Sequence, residues 1–176
     1  MKKIALFYWP KGGNVESCAT RIYKKFDAGT AEIHSINEIG HINPEDFDLI
    51  IVGGSTVGAI VWEKADDNNL WFDFFAKCST ADLKNKPFAI FGLGDQVLYP
   101  ENFVDGMMLI KKEFDGNGAR LIGKWPVEGY KFTGSEALDE DEKMFVGLAL
   151  DEDNQEELTD QRIEKWVKQI KEELRS

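Results

Sequence analysis

The chain has 176 residues and a formal net charge of −11, enough length for a single domain with a sizeable core. Hydrophobic residues make up 43% and charged residues 30%, an ordinary composition for a water-soluble fold, and the acidic excess argues against nucleic acid and anionic membrane surfaces as partners. No apolar run approaches ~18 residues, so no membrane span is expected.

Residues 3–8 are short and apolar and run into a glycine loop, which predicts a buried strand. Residues 14–26 place apolar side chains at 15, 18, 19, 22, 23 and 26, a helical stripe with Asn14 as its expected N-cap. Gly29 ends it. Residues 31–36 alternate weakly and suit a second strand. "FDLIIV", residues 47–52, is a stronger buried strand closed by Gly53-Gly54. Residues 70–76 are dense in aromatics and predict a helix packed on a sheet. "KPFAIFG", residues 86–92, is another buried strand, with Pro87 confined to its start. Residues 103–114 predict a helix stopped by "DGNG", and residues 120–122 begin a fifth strand. Residues 125–150 suit an excursion of loops and short strands. Residues 158–174 form an amphipathic helix, with Thr159 or Asp160 as its expected cap.

Strands alternating with helices predict βαβ units and a parallel sheet covered on both sides, here with five strands and five helices in one domain spanning 1–176. Ligands of such sheets bind outside the carboxyl ends of the strands. Three loops lie there, at 9–14, 55–66 and 93–102. Lys2 and Lys3 lead straight into the first strand, so no secretory leader is expected. Cys18 and Cys78 match no metal or redox spacing, and both read as buried or free thiols in a reducing cytoplasm. His34 and His41 are isolated, and a structural role is expected for each.

The third loop reads "FGLGDQVLYPENF" and follows "KPFAI"; from residue 131 onward the chain reads "KFTGSEAL" and then "FVGLALDEDNQEELTDQRIEKWVKQI". These strings resemble the flavodoxin family, specifically its long-chain members, and the resemblance runs in order along essentially the whole chain. It implies an α/β flavodoxin-like doubly wound sheet of strand order 2-1-3-4-5, with the long-chain insertion in the last strand region. It also implies noncovalent FMN and one-electron transfer between redox proteins, without catalysis. Tyr99 falls where the family has a tyrosine stacked on the outer face of the flavin ring. Asp95 falls where an acid accepts from the pyrimidine edge, although an Asx turn also suits it. Gly94 adjoins it, and Asn102 is expected to cap the next helix or donate to a ring carbonyl. Leu98 stands where the family often has glycine.

In the second loop, Ser55 and Thr56 fit the family pattern, but Val57 occupies the position of the inner-face tryptophan. Valine cannot stack, and Trp62 or Trp9 would have to swing in to replace it; local packing of both is the alternative. Gly58 suits a peptide that reorients beside flavin N5 at low steric cost.

The first loop departs furthest. Where the family shows three hydroxyls around a phosphate, this chain has Pro10, Gly12 and Val15. Each hydrogen bond to a charged group contributes ~1.5–3 kcal/mol, so the loss weakens a phosphate seat unless other groups replace it. The replacements on offer are the backbone amides of Gly12, Gly13, Asn14 and Val15, the helix N-terminus, the Asn14 amide and the Lys11 ammonium.

The reading is an FMN electron carrier, monomeric, whose acidic surface, including Asp66, Asp67, Glu101 and Asp105, meets basic redox partners. Two other readings stay open. One is an FMN-dependent quinone or nitro-group reductase using the space left by Val57. The other is a flavodoxin-like module without FMN.

Overall fold

A computed structural model of the chain describes residues 2–55 and 70–175. The first strand, β1 (Ile4–Trp9), is buried along almost its whole length, as a central strand covered on both faces must be. It leads to α1 (Asn14–Tyr23), β2 (Ala31–Ser35) and then β3 (Leu49–Gly54). Two short 3₁₀ turns, Ile36–His41 and Pro44–Asp46, fill the β2–β3 connection; the sequence pattern did not reveal them. The second half of the chain runs α2 (Leu70–Ser79), β4 (Pro87–Leu93), α3 (Gly106–Gly116), β5 (Arg120–Leu121), β6 (Trp125–Pro126), β7 (Met144–Phe145), β8 (Leu148–Leu150) and α4 (Glu156–Glu173).

The main sheet has the order β2-β1-β3-β4-β5 and is parallel throughout, the predicted topology. α1 packs with α4 and α2 packs with α3, giving the sheet its two helical layers. Four α-helices occur among the described residues, where five were expected.

The fifth strand position is shared. β5 pairs with the start of β4 through Leu121 opposite Phe88, and β8 pairs with its end through Leu148 opposite Phe91. β3 occupies the other edge of β4, so β5 and β8 lie on one side, collinear. The chain leaves the sheet between them and forms a small antiparallel pair, β6 with β7, on the way. Gly147 makes the return feasible: a Cβ there would lie 2.2 Å from the Ile90 carbonyl oxygen. Trp166 on α4 is fully buried and donates its indole N–H to the Gly123 carbonyl at 2.7 Å, tying the start of the excursion to the helical layer.

Three expected caps are displaced. Asn14 is the first helical residue and Gly13 the cap of α1. The α3 helix starts at Gly106, after Asp105, so residues 103–105 belong to the preceding loop and Asn102 is not its cap. α4 begins earlier than its apolar stripe, with Gln155 as its cap. Thr159 instead donates its hydroxyl to Glu152, and Asp160 pairs with Arg21 at 2.9 Å. Thr159 and Asp160 thus face partners outside α4, and Asn102 bonds Asp105 within its own loop, rather than a helix's first amides.

Candidate functional site

A cavity of about 660 Å³ opens at the carboxyl ends of the strands. Pro10, Gly12, Asn14 and Val15 wall one end of it, Ser55 follows β3, and Gly94, Asp95, Tyr99 and Asn102 wall the other. Its size lies within the ~300–1,000 Å³ usual for small-molecule sites.

At the first end, β1 delivers the chain to Gly12 at φ 78° and Gly13 at φ 97°, ψ −157°. The second of these is a backbone region that only glycine visits readily. Gly13 does not itself line the cavity, but it turns the chain into α1, whose first amides then face the site. The helix start is already in contact with an anion of its own. Glu16 accepts the Gly12 N–H at 2.6 Å and the Tyr8 hydroxyl at 2.7 Å. The Tyr8 hydroxyl and the Gly12 amide hold the Glu16 carboxyl below its ordinary range. Burial, with Glu16 beside it, pushes the Tyr8 phenol up to about 12. Lys11 is exposed, outside the cavity wall, and its ammonium lies 2.8 Å from Glu38.

At the second end, Asp95 closes an Asx turn: its Oδ1 accepts from the amides of Val97 and Leu98, both at 2.9 Å. The Asn154 side-chain amide donates to the same oxygen at 2.9 Å. The Leu98 amide above all holds this carboxyl below its ordinary range. Oδ2 makes no bond among the described residues. The turn presents Val97, Leu98 and Tyr99 outward, each more than half exposed, with Tyr99 at 61% on the cavity rim.

The excursion between β5 and β8 clasps this loop from outside. Thr133 and Gly134 donate their amides to the Pro100 carbonyl at 2.7 and 2.9 Å, and Ser135 donates to the Phe103 carbonyl at 2.6 Å. The Phe103 and Phe132 rings stack with centroids 5.7 Å apart. Beneath, the fully buried Asp151 accepts from the Gln96 side chain at 2.7 Å and the Asn154 amide at 3.1 Å.

Asp105 does not belong to an exposed acidic surface. It is buried, taking the Asn102 side-chain amide at 3.0 Å and the Glu136 N–H at 2.8 Å. Trp9 packs against the core and is absent from the cavity wall. Thr56, Val57, Gly58, Trp62, Asp66 and Asp67 lie outside the described residues. Cys18 and Cys78 are buried free thiols, each pushed up to about 12 by that burial.

The sequence profile of the flavodoxin family matches residues 6–166. The chain belongs to the flavodoxin family. It is 38% identical to a flavodoxin of Klebsiella pneumoniae, over 99% of this chain and 96% of that one. It is 36% identical to a flavodoxin of Nostoc sp. strain PCC 7120, covering 98% of each. Among solved structures, it is similar to the Fusobacterium nucleatum flavodoxin bound to flavin mononucleotide, with TM-score 0.83, 25% identity and coverage of 98% and 99%.

Sequence reasoning missed several walls of this flavodoxin cavity. Leu93 lay one residue past the predicted strand, and Val104 and Gly106 were absorbed into the predicted helix. Val104 sits at φ 53°, an outlier for a β-branched residue that no sequence pattern announces. Glu136 arrives from the excursion, and Glu152 and Asp153 from the segment after β8. The "DEDN" run was the one available signal for the last two.

Proposed function

We propose that this chain binds FMN in the cavity at its strand ends and carries single electrons between redox proteins. One observation carries the reading: a single cavity joins a glycine loop at a helix start to an exposed tyrosine rim, as a flat ring with an anionic tail requires. The residues present fit that group. In this reading Pro10, Gly12, Gly13, Asn14 and Val15 surround the phosphate, chiefly through backbone amides and the start of α1. Lys11 adds a cation beside them. Ser55, Thr56, Val57 and Gly58 border the inner side of the ring. Gly94 and Asn102 line the edge, Asp95 accepts from the ring N–H through its spare oxygen, and Tyr99 covers the outer face.

FMN supplies the one-electron chemistry when bound. The protein's part is to orient the ring, leave one edge accessible and surround it with negative charge. The net charge of −11 favours encounter with basic partner proteins. A monomer serves that role in a reducing cytoplasm, where two buried thiols stay reduced.

The test is a fluorescence-quenching titration of the flavin-free protein with FMN. Saturable one-to-one quenching supports the reading, together with reversible reduction and no turnover of a quinone by NAD(P)H alone. No uptake of FMN overturns it, and steady quinone turnover without an added reductase replaces it with the reductase reading.

A further inference from the structure

We infer that Glu16 is a specificity-determining residue of this site: its carboxylate is a resident anion on the phosphate loop, and it reduces the preference for a phosphorylated flavin over an unphosphorylated one. The inference rests on the flavin-binding reading above and names the residue that tunes it.

The geometry is a two-point clamp. One carboxylate oxygen takes the Gly12 N–H at 2.6 Å and the other takes the Tyr8 hydroxyl at 2.7 Å. Gly12 is a wall of the cavity and Glu16 is not, so the clamp holds on the site's border an amide that a phosphate there would compete for. Tyr8 is 6% exposed on β1, so the clamp is anchored in the core rather than swinging in solvent. The loop's full cation is engaged as well, with Lys11 2.8 Å from Glu38. Both of the loop's better donors therefore already face carboxylates of this chain. What remains is the amides of Gly13, Asn14 and Val15 at the start of α1, because Pro10 has no N–H and positions 10, 12 and 15 carry no hydroxyl. A phosphate arriving here must displace Glu16 from Gly12 or bind beside a like charge, and either weakens it. A flavin ending in a neutral ribityl chain meets neither obstacle.

A purely structural Glu16 would behave differently. As the third residue of α1 reaching back over its cap, it also resembles a capping-box acid that stabilises the helix start. That role predicts equal effects on every flavin.

The experiment measures the affinities of FMN and riboflavin for the wild-type chain and for Glu16→Gln, which keeps shape and removes charge. Tyr8→Phe, which cuts the anchor, is measured in parallel. In Glu16→Gln, FMN should tighten by ~10-fold or more while riboflavin stays within ~2-fold, the scale of one charge-assisted bond regained. Tyr8→Phe should move the ratio in the same direction. A ratio that stays constant, or that falls, overturns the inference. Riboflavin binding reports folding of each variant. Should neither variant fold, Glu16→Ala, which removes the carboxylate outright, takes their place, with the same change of ratio expected and a constant or falling ratio overturning the inference. If neither flavin binds the wild-type chain, it is the flavin reading itself that fails.

Discussion

Tyr99 is held by its backbone and left free at its ring. Its N–H reaches the Asp95 carbonyl at 3.0 Å, and its carbonyl accepts the Asn102 N–H at 3.2 Å, while the side chain is 61% exposed. A large aromatic kept exposed by a rigid turn has a ring face to offer a flat ligand. Tyr99→Ala should weaken FMN and riboflavin alike by ~5–10-fold, since stacking beyond area contributes ~0.5–1.5 kcal/mol, and should shift the flavin potential. Paired titrations and redox potentiometry check this. Lys11 stands beside the opposite end of the cavity, outside its wall, and a turn of its side chain from Glu38 to the phosphate predicts that Lys11→Ala weakens FMN more than riboflavin. Equal effects on the two flavins would remove the lysine from the phosphate. The place of Tyr99 on the cavity rim was legible in the sequence because motif strings such as "GDQVLYPENF" fix residue type and place together. What the sequence concealed was where donors were already committed. Glu38 on Lys11 is a tertiary choice that no local pattern pairs, and Glu16 on Gly12 is a local reach-back that the glycine loop's reading as an anion seat obscured.

At the level of elements, strands and helices followed from apolar periodicity, since a parallel strand buried on both faces must read as a continuous run. Boundaries and caps were less legible, because a capping side chain chooses among all the donors the fold brings near it. The bracing of the third loop was invisible for the same reason. Residues 131–136, "KFTGSE", carry part of the family resemblance but no sign of their partners, and their amides hold the loop that carries Asp95 and Tyr99. Asp151 is the buried junction of this arrangement. Asp151→Ala would strand the amides of Gln96 and Asn154, each unsatisfied group costing ~1–3 kcal/mol. The melting temperature should fall by ~5–10 °C for a chain of this size. Thermal unfolding followed by circular dichroism checks the drop, and a loss of flavin affinity should accompany it.

For the whole molecule, charge sets the limits of stability. Glu16, Asp95, Asp139 and Asp160 are all held below their ordinary carboxyl range by hydrogen bonds or ion pairs. The folded state therefore binds these protons less readily than the unfolded chain does. That stability is fully present above the unfolded carboxyl value of ~4 and is lost as pH falls through the folded values. Cys18 and Cys78 act at the other limit. Buried thiols at about 12 stay protonated while unfolded thiols ionise, so stability declines as pH rises from ~8.5. Melting temperatures across pH should thus form a plateau that falls away on both sides.

The shared fifth strand carries a further consequence. Leu121 lies opposite Phe88 and Leu148 opposite Phe91, so just two residues, Ile122 and Gly147, correspond to Ala89 and Ile90 between them. Splicing Ile122 directly to Gly147 would restore one unbroken strand with no slip of register and no side chain turned to the wrong face. The excursion is thus a parenthesis in the sheet: grammatically removable, yet the clause inside it steadies the loop that bears Tyr99. In this molecule the register of the main sheet owes nothing to the excursion, while the core, through Ala137, Phe145 and Val146, and the third loop both depend on it.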